Sequence, residues 1–383
     1  AHAMLGWIYQ QPEMQDLNLA IENLSRSLDL MPDEASTRIQ RSLAYASQNK
    51  LELALVDCQT VLRADPESAA AHGVHGRILQ MRGEFSEAIE ACTQAIDQGL
   101  EAPLVFVARA FAHAATDQQE LALLDCDSAL ALDPENALAL HLRGSLSIQR
   151  GELEAAMEAL KQASALAPEW SEPREQIALL HRMNENPQAA IDEQSELIDR
   201  QPSNPAHYVN RAFAYTQLGD YSKAELDYGH ALELDGENEH LHYLRGCFYM
   251  DRQEEGKALG DMCRDLELTD YFDDSRLRRA EILLRVRRPD EALLDYEILI
   301  AKHPDHPVAY TGRAWANQMK GDGDAVDADI DRLAEIVPEK AHETAIQSLH
   351  GKVVWLESQE RYDEAIEVAE EIIAMASDEP LGY

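Results

Sequence analysis

Residues 205–238 read PAHYVNRAFAYTQLGDYSKAELDYGHALELDGEN. Tyr208, Ala212 and Tyr215 recur at helical spacing, Gly219-Asp220 interrupts them, and Tyr221, Ala224, Tyr228, Ala231 and Leu234 resume the pattern. The stretch therefore predicts two helices joined by a tight turn. Gly219 supplies the permissive backbone that ends the first helix, and Asp220 is placed to cap the second.

Steps of 34 residues carry this unit along the chain, through Pro32, Pro66, Pro134, Pro168, Pro202, Pro304 and Pro338. Leu100, Gly236 and Asp270 fill the slots in that series without proline. Alanine keeps the same step at Ala20, Ala54, Ala88, Ala122, Ala156, Ala190, Ala224, Ala258 and Ala292. With Pro205 counted as place 1, place 8 is always small: Ser42, Gly76, Ala110, Gly144, Ala178, Ala212, Gly246, Ala280 and Ala314. Small residues at both series let two antiparallel helices approach closely, and a larger side chain would overpack them at a cost of about 1–3 kcal/mol.

These prolines, small places and spacings resemble the tetratricopeptide repeat, over nearly the whole chain. The expected division is 1–34, 35–68, 69–102, 103–136, 137–170, 171–204, 205–238, 239–272, 273–306, 307–340 and 341–380. The first unit departs by about two extra residues around Pro12 and the last by a longer first helix, roughly Ala341 to Leu356. The resemblance implies an all-α solenoid, a right-handed superhelix of about eleven helix pairs whose first helices line a concave face.

Comparison of the units with one another exposes a further regularity. Arginine holds place 7 as Arg41, Arg109, Arg143, Arg211, Arg245, Arg279 and Arg313, and aspartate follows 16 residues later as Asp57, Asp125, Asp227, Asp261, Asp295 and Asp329. Six units carry both. The turn lies midway between the two places, so the side chains sit at matching heights and can pair across the hairpin. Such pairs set register more than they add stability, because desolvation offsets much of the Coulomb attraction.

The formal net charge of −38 repels phosphate backbones, and no basic stripe interleaved with aromatics occurs, which argues against nucleic-acid binding. Eight lysines stand beside 25 arginines and 71 acids, a balance compatible with a GC-rich genome or with adaptation to salt. No apolar run approaches a membrane span, and no signal-peptide succession opens the chain. Ala1 falls inside the first helix of the first unit and is not methionine, so the chain reads as a fragment or processed product, with a further domain left open at either end. Cys58, Cys92 and Cys126 occupy one core place in successive units, about 8–10 Å apart on stacked helices and beyond disulfide reach. Reduced thiols point to the cytoplasm.

Catalytic motifs are missing: there is no GxGxxG after a strand, no GxxxxGK[ST] and no GxSxG, and after His342-Glu343 Ile346 replaces the second histidine of HExxH. The pairs His72 with His75 and His303 with His306 lack a third ligand, and Cys247 and Cys263 lack zinc spacing. The run Asp322, Asp324, Asp327, Asp329 and Asp331 lacks the glycine and final acid of a calcium loop. The expectation is no enzyme, no metal and no cofactor.

Under the resemblance, places 2, 5, 6, 9, 12 and 13 line the groove, and in the middle units this stripe is apolar. The candidate partner-binding residues are Val107, Phe111, His141, Leu142, Asn210, Phe213, Tyr243 and Met250, followed by Arg278 and Arg285 from a basic island. An exposed apolar stripe rimmed by polar groups is a binding surface in many proteins, while burial between neighbouring units is the competing reading. The basic island either holds an acidic group of a partner or is a solvated helix-end cluster. The family's two-carboxylate clamp is absent, since Asn210 is flanked by Glu175 and Leu179 in the unit before and by His240 and Leu244 in the unit after. The reading is a non-enzymatic scaffold for a protein or peptide segment, of unspecified oligomeric state. Its alternatives are an arm of a larger enzyme or a part of an envelope or secretion assembly.

Overall fold

The computed structural model describes residues 1–10, 16–269, 273–338, 343–346, 349, 353 and 362–377. Two compact units result, Ala1–Asp199 and Arg200–Tyr383. In the first, the chain runs through α1 (His2–Tyr9), α2 (Leu17–Leu30), α3 (Ala35–Ser47), α4 (Leu51–Ala64), α5 (Ala69–Arg82) and α6 (Phe85–Asp97). It continues through α7 (Pro103–Ala115), α8 (Gln119–Leu132), α9 (Ala137–Gln149), α10 (Leu153–Leu166), α11 (Glu172–Met183) and α12 (Pro187–Arg200). The second unit holds α13 (Pro205–Leu218), α14 (Tyr221–Leu234), α15 (Glu239–Asp251) and α16 (Glu255–Leu268). After these come α17 (Asp273–Arg285), α18 (Pro289–Lys302), α19 (Pro307–Lys320), α20 (Gly323–Ile336) and a helix at Tyr362–Ser377. Each unit is an all-α solenoid of stacked hairpins, with no strand among the described residues. Most of the long first helix expected from Ala341 to Leu356, and the turn around Pro12, lie outside those residues.

Close approach of the paired helices follows from the small places. All nine alanines of the Ala20 to Ala292 series are completely buried. A Cβ added to Gly144 would stand 2.6 Å from Leu160 Cγ, and one added to Gly246 would stand 2.7 Å from Met262 Cε. The missing side chain on one helix is thus filled by a large one on its partner. At Ser42 the hydroxyl takes up this contact by donating to the Ala54 carbonyl at 2.7 Å.

One backbone device ends nine first helices, from α3 to α19. Positive φ occurs at Asn49, Gly83, Asp117, Gly151, Glu185, Gly219, Gln253, Arg287 and Gly321, every 34 residues without a gap. The left-handed turn lets the following amide reach back into the helix, as from Glu84 N to Leu79 O at 3.0 Å and from Asp220 N to Tyr215 O at 2.9 Å. Asp220 then caps α14 by accepting from Lys223 N.

The turn prolines gain a partner from place 4 of the next helix. His72 Nε2 meets the Pro66 carbonyl at 2.8 Å, while the hydroxyls of Tyr208 and Tyr310 donate to the carbonyls of Pro202 and Pro304 at 3.1 and 3.0 Å. Arg38 serves Pro32 in the same way at 2.7 Å. A polar tip six residues on thus fastens each of these turns to the helix that follows.

All six arginine and aspartate pairs form as two-pronged bridges. Their shorter contacts are 2.7 Å for Arg41–Asp57 and Arg109–Asp125, 2.8 Å for Arg211–Asp227 and 2.7 Å for Arg245–Asp261. Arg279–Asp295 and Arg313–Asp329 reach 2.5 Å. The aspartates are buried and the guanidiniums partly so. Hydrogen bonding to the carboxylate, more than charge alone, pushes each of the six guanidiniums further up. Arg41 and Arg109 also donate backwards, to Ser25 and Thr93 of the preceding second helix at 3.0 Å. One side chain therefore ties three helices. Arg143 has Ala159 where the others have aspartate, and turns to Asp127 at 3.8 Å.

Candidate partner-binding site

First helices touch one another along each unit, α3 to α5 to α7 to α9 in the first and α15 to α17 to α19 in the second. They form a wall on which the groove places should lie. Of the ten candidate residues, Val107, Leu142 and Met250 are 3%, 6% and 7% exposed, so they belong to the packing between helices and leave little for a partner to touch. Phe111 is half-buried over the clusters that contain Val107 and Leu142. His141 lies with its ring centroid 4.5 Å from that of Trp170, and burial pulls its imidazole below the ordinary range. Val107, Phe111, His141 and Leu142 belong to the first unit.

The other candidates are in the second unit. Asn210 and Phe213 are half-buried on α13, and the Phe213 ring meets Tyr228 at 6.1 Å. Phe213 and Tyr243 both pack against the cluster that buries Met250. Tyr243 is pushed up chiefly by burial, with Cys247 adding to the rise and Arg278 opposing it. Arg278, exposed on α17, also donates to Glu281 at 3.0 Å. Tyr243, Arg278 and Glu281 thus make a polar strip from α15 onto α17.

That strip ends at a pocket of about 380 Å³. Glu281, Leu284 and Arg285 come from α17, and Val308, Thr311, Gly312, Trp315 and Met319 come from α19. Tyr296 of α18 closes the floor. Gly312 makes room for that ring: a Cβ there would run into the end of the Tyr296 side chain. Val308, Trp315 and Met319 stay 44%, 48% and 38% exposed, so this wall is apolar and wet.

Sequence reasoning stopped at Arg285 and missed the α19 side of this pocket. The signal was present, since Val308, Thr311, Gly312, Trp315 and Met319 are places 2, 5, 6, 9 and 13 of the unit starting at Pro307. Extending the same stripe one unit further finds them.

Elsewhere the candidate chemistry resolves into structure. Asp322 caps α20 through Ala325 N at 3.2 Å and Asp329 pairs with Arg313, which accounts for two members of the acidic run. His303 Nε2 contacts Asp273 at 2.6 Å. No group of three or more metal-ligating side chains is assembled among the described residues. Cys58, Cys92, Cys126, Cys247 and Cys263 are free thiols. Burial pushes the first three up to about 12. No helix among the described residues is long and apolar enough to cross a membrane.

Comparison with known proteins bears on this arrangement. Models of the tetratricopeptide repeat match residues 39–103 and 277–338, and residues 137–169 and 208–238. The Hsp70-Hsp90 organizing protein of Triticum aestivum is 28% identical over 202 residues, covering 51% of this chain and 35% of the relative. The Hsp70-Hsp90 organizing protein 1 of Glycine max is 23% identical over 246 residues, covering 64% and 37%. The chain thus spans about a third of the length of these curated relatives. Among solved structures, the C-terminal part of a TPR repeat-containing protein from Cytophaga hutchinsonii superposes with a TM-score of 0.54 at 16% identity, over 63% of this chain and 98% of that one. This last likeness is one of fold.

Proposed function

Since the chain belongs to the tetratricopeptide-repeat family, we propose that it is a non-enzymatic protein-interaction scaffold that holds a protein or peptide segment against its wall of first helices. The observation that carries this reading is the polar strip and pocket at groove places of successive units, where Tyr243, Arg278 and Arg285 adjoin exposed Val308, Trp315 and Met319. Ridged helix pairs present such a surface already ordered, so a partner gains affinity from a few anchors without an ordering cost on the scaffold's side. Display of that surface is the whole mechanism, and no proton or group transfer enters it. The relatives' printed role as organizing proteins for Hsp70 and Hsp90 supports protein partners as a class. Because the residues of the two-carboxylate clamp are absent around Asn210, the partner's contact is assigned to the apolar wall. The five free thiols fit a reducing compartment, and the cytoplasm is the proposed location.

The test is affinity capture followed by quantitative binding with variants. Tyr243→Ala should weaken capture of a recovered partner by roughly tenfold or more, as loss of an aromatic anchor does. Glu233→Gln, exposed on α14, should leave binding unchanged. Glu225 is unsuitable as that control, because it bonds Tyr249 at 2.9 Å and Lys257 at 2.8 Å. Equal binding by wild type and a folded Tyr243→Ala protein refutes the wall as the working surface.

A further inference from the structure

We propose that the pocket between α17 and α19 is an anchor site for a peptide carrying an aromatic side chain next to an acidic residue. The proposal rests on the scaffold reading and narrows it to one place and one chemistry.

Size comes first. About 380 Å³ is near the small end of the roughly 300–1,000 Å³ typical of ligand sites, so it suits a single inserted ring better than an extended cofactor. Place 6 is glycine in this unit, and the Tyr296 ring packs against its bare backbone. The same place holds Leu142, Asn210, Leu244 and Arg278 elsewhere, and any of them would collide with the Tyr296 ring that floors the pocket.

The walls select an aromatic group. Trp315 and the Tyr296 ring offer faces and edges, and Met319 offers a polarisable sulfur, all partners that favour a ring over an aliphatic chain. Tyr296 is 1% exposed and presents its ring as the floor of the pocket.

Charge selects the neighbour of that ring. Around the pocket Arg278 is engaged by Glu281 at 3.0 Å, Arg279 by Asp295 at 2.8 Å and Arg288 by Glu291 at 2.6 Å. Arg285 is exposed, lines the pocket and has no acidic partner among the described residues. In a chain with 71 acids and 33 bases, a guanidinium left unpaired beside an apolar opening is a place for a carboxylate from outside. Glu281, on the same helix, keeps that carboxylate at the Arg285 edge by repulsion. The strip of Tyr243 and Arg278 continues from Glu281, so polar groups are available for the backbone of an extended segment, which commits the occupant to a peptide over a free aromatic acid.

The experiment labels the methionine methyls of the whole chain with carbon-13 and assigns Met319 through Met319→Leu. The probes are acetyl-Phe-Glu-amide, acetyl-Phe-Gln-amide, acetyl-Ala-Glu-amide and 3-phenylpropionate. A saturable shift at Met319 is expected with the first, with binding about threefold weaker for each of the other peptides. Arg285→Gln should erase the difference between the Glu and Gln peptides while leaving the Phe requirement. No saturable shift at Met319 overturns the proposal, as do equal affinities of the Glu and Gln peptides or tighter binding of phenylpropionate than of any peptide. If a captured partner depends on Tyr243 but binds Arg285→Gln as it binds wild type, the anchor site falls and the scaffold reading stands.

Discussion

Removal of one buried bridge gives the sharpest test of how the hairpins hold register. In the pair on α13 and α14, Arg211 Nε and Nη2 each donate to Asp227 at 2.8 Å, and the Asp227 side chain is 3% exposed against 19% for Arg211. Arg211→Met strands a carboxylate that has almost no access to water, at a cost of about 3–5 kcal/mol. Asp227→Leu strands a guanidinium that still reaches solvent and lies 5.9 Å from the rings of Tyr208 and Tyr215, so its cost is smaller, about 1–3 kcal/mol. With both changes no charge is left behind and an apolar pair replaces the bridge, which is often close to neutral. The double variant should therefore be more stable than the summed losses imply, by roughly 2–3 kcal/mol of coupling. Stacked repeats open locally, so the assay is native-state hydrogen exchange over residues 205–234, where each variant's protection loss is read directly. Additive losses, within about 0.5 kcal/mol, refute the claim that the pair acts as one buried unit.

Four further outcomes are expected. Glu185→Gly and Gln253→Gly should each stabilise by about 0.5–1 kcal/mol in thermal melts, since φ is 51° and 58° there and a side chain is strained in that region; lowered melting temperatures would contradict the turn geometry. Ala224→Leu should lower local stability by about 1–3 kcal/mol at the fully buried crossing, and an unchanged melt would mean that the helices are not so closely packed. Burial pushes the Asp265 carboxyl up, with Ser275 holding it back in part and Glu239 adding to the rise. The folded state thus binds that proton more tightly than the unfolded one, and the penalty is present above the folded value and disappears below the ordinary carboxylate range, about 4. Asp265→Asn should accordingly stabilise most near pH 7–8 and progressively less as pH falls toward 4, and a pH-independent effect would exclude this origin. Finally, a thiol reagent at pH 8 should modify Cys247 and Cys263 well before Cys58, Cys92 and Cys126, whose buried thiols are held up at about 12; early loss of the latter three would refute their burial.

Much was legible in the chain because a repeat states its rule many times. The 34-residue step, the buried alanines and the six charge pairs could be read by aligning the chain with itself, since each is a demand on residue type at one place within a short, local hairpin. The turn was plainest where glycine marks it, at Gly83, Gly151, Gly219 and Gly321. Asn49, Asp117, Glu185, Gln253 and Arg287 adopt the same left-handed backbone. Packing of the two helices compels that conformation whatever the side chain, so residue type gave a weak sign of it at Asn49 and Asp117 and none at Glu185, Gln253 and Arg287. The fastening of turn prolines by His72, Tyr208 and Tyr310 was likewise hidden, because three different chemistries supply one hydrogen bond.

The site divided in the same way. The resemblance supplied the places expected to face along the first helices, Tyr243, Arg278 and Arg285 among them. It could not decide how deeply a side chain sinks between neighbours, and Val107, Leu142 and Met250 proved to be core, while Trp315 and Met319 stay in water. Nor could it show that a pocket lies beside Gly312, because its floor is the Tyr296 ring arriving from a different helix. Periodicity is a property of one helix and survives in the sequence. Depth and vacancy are properties of how helices meet, and only their packing sets them.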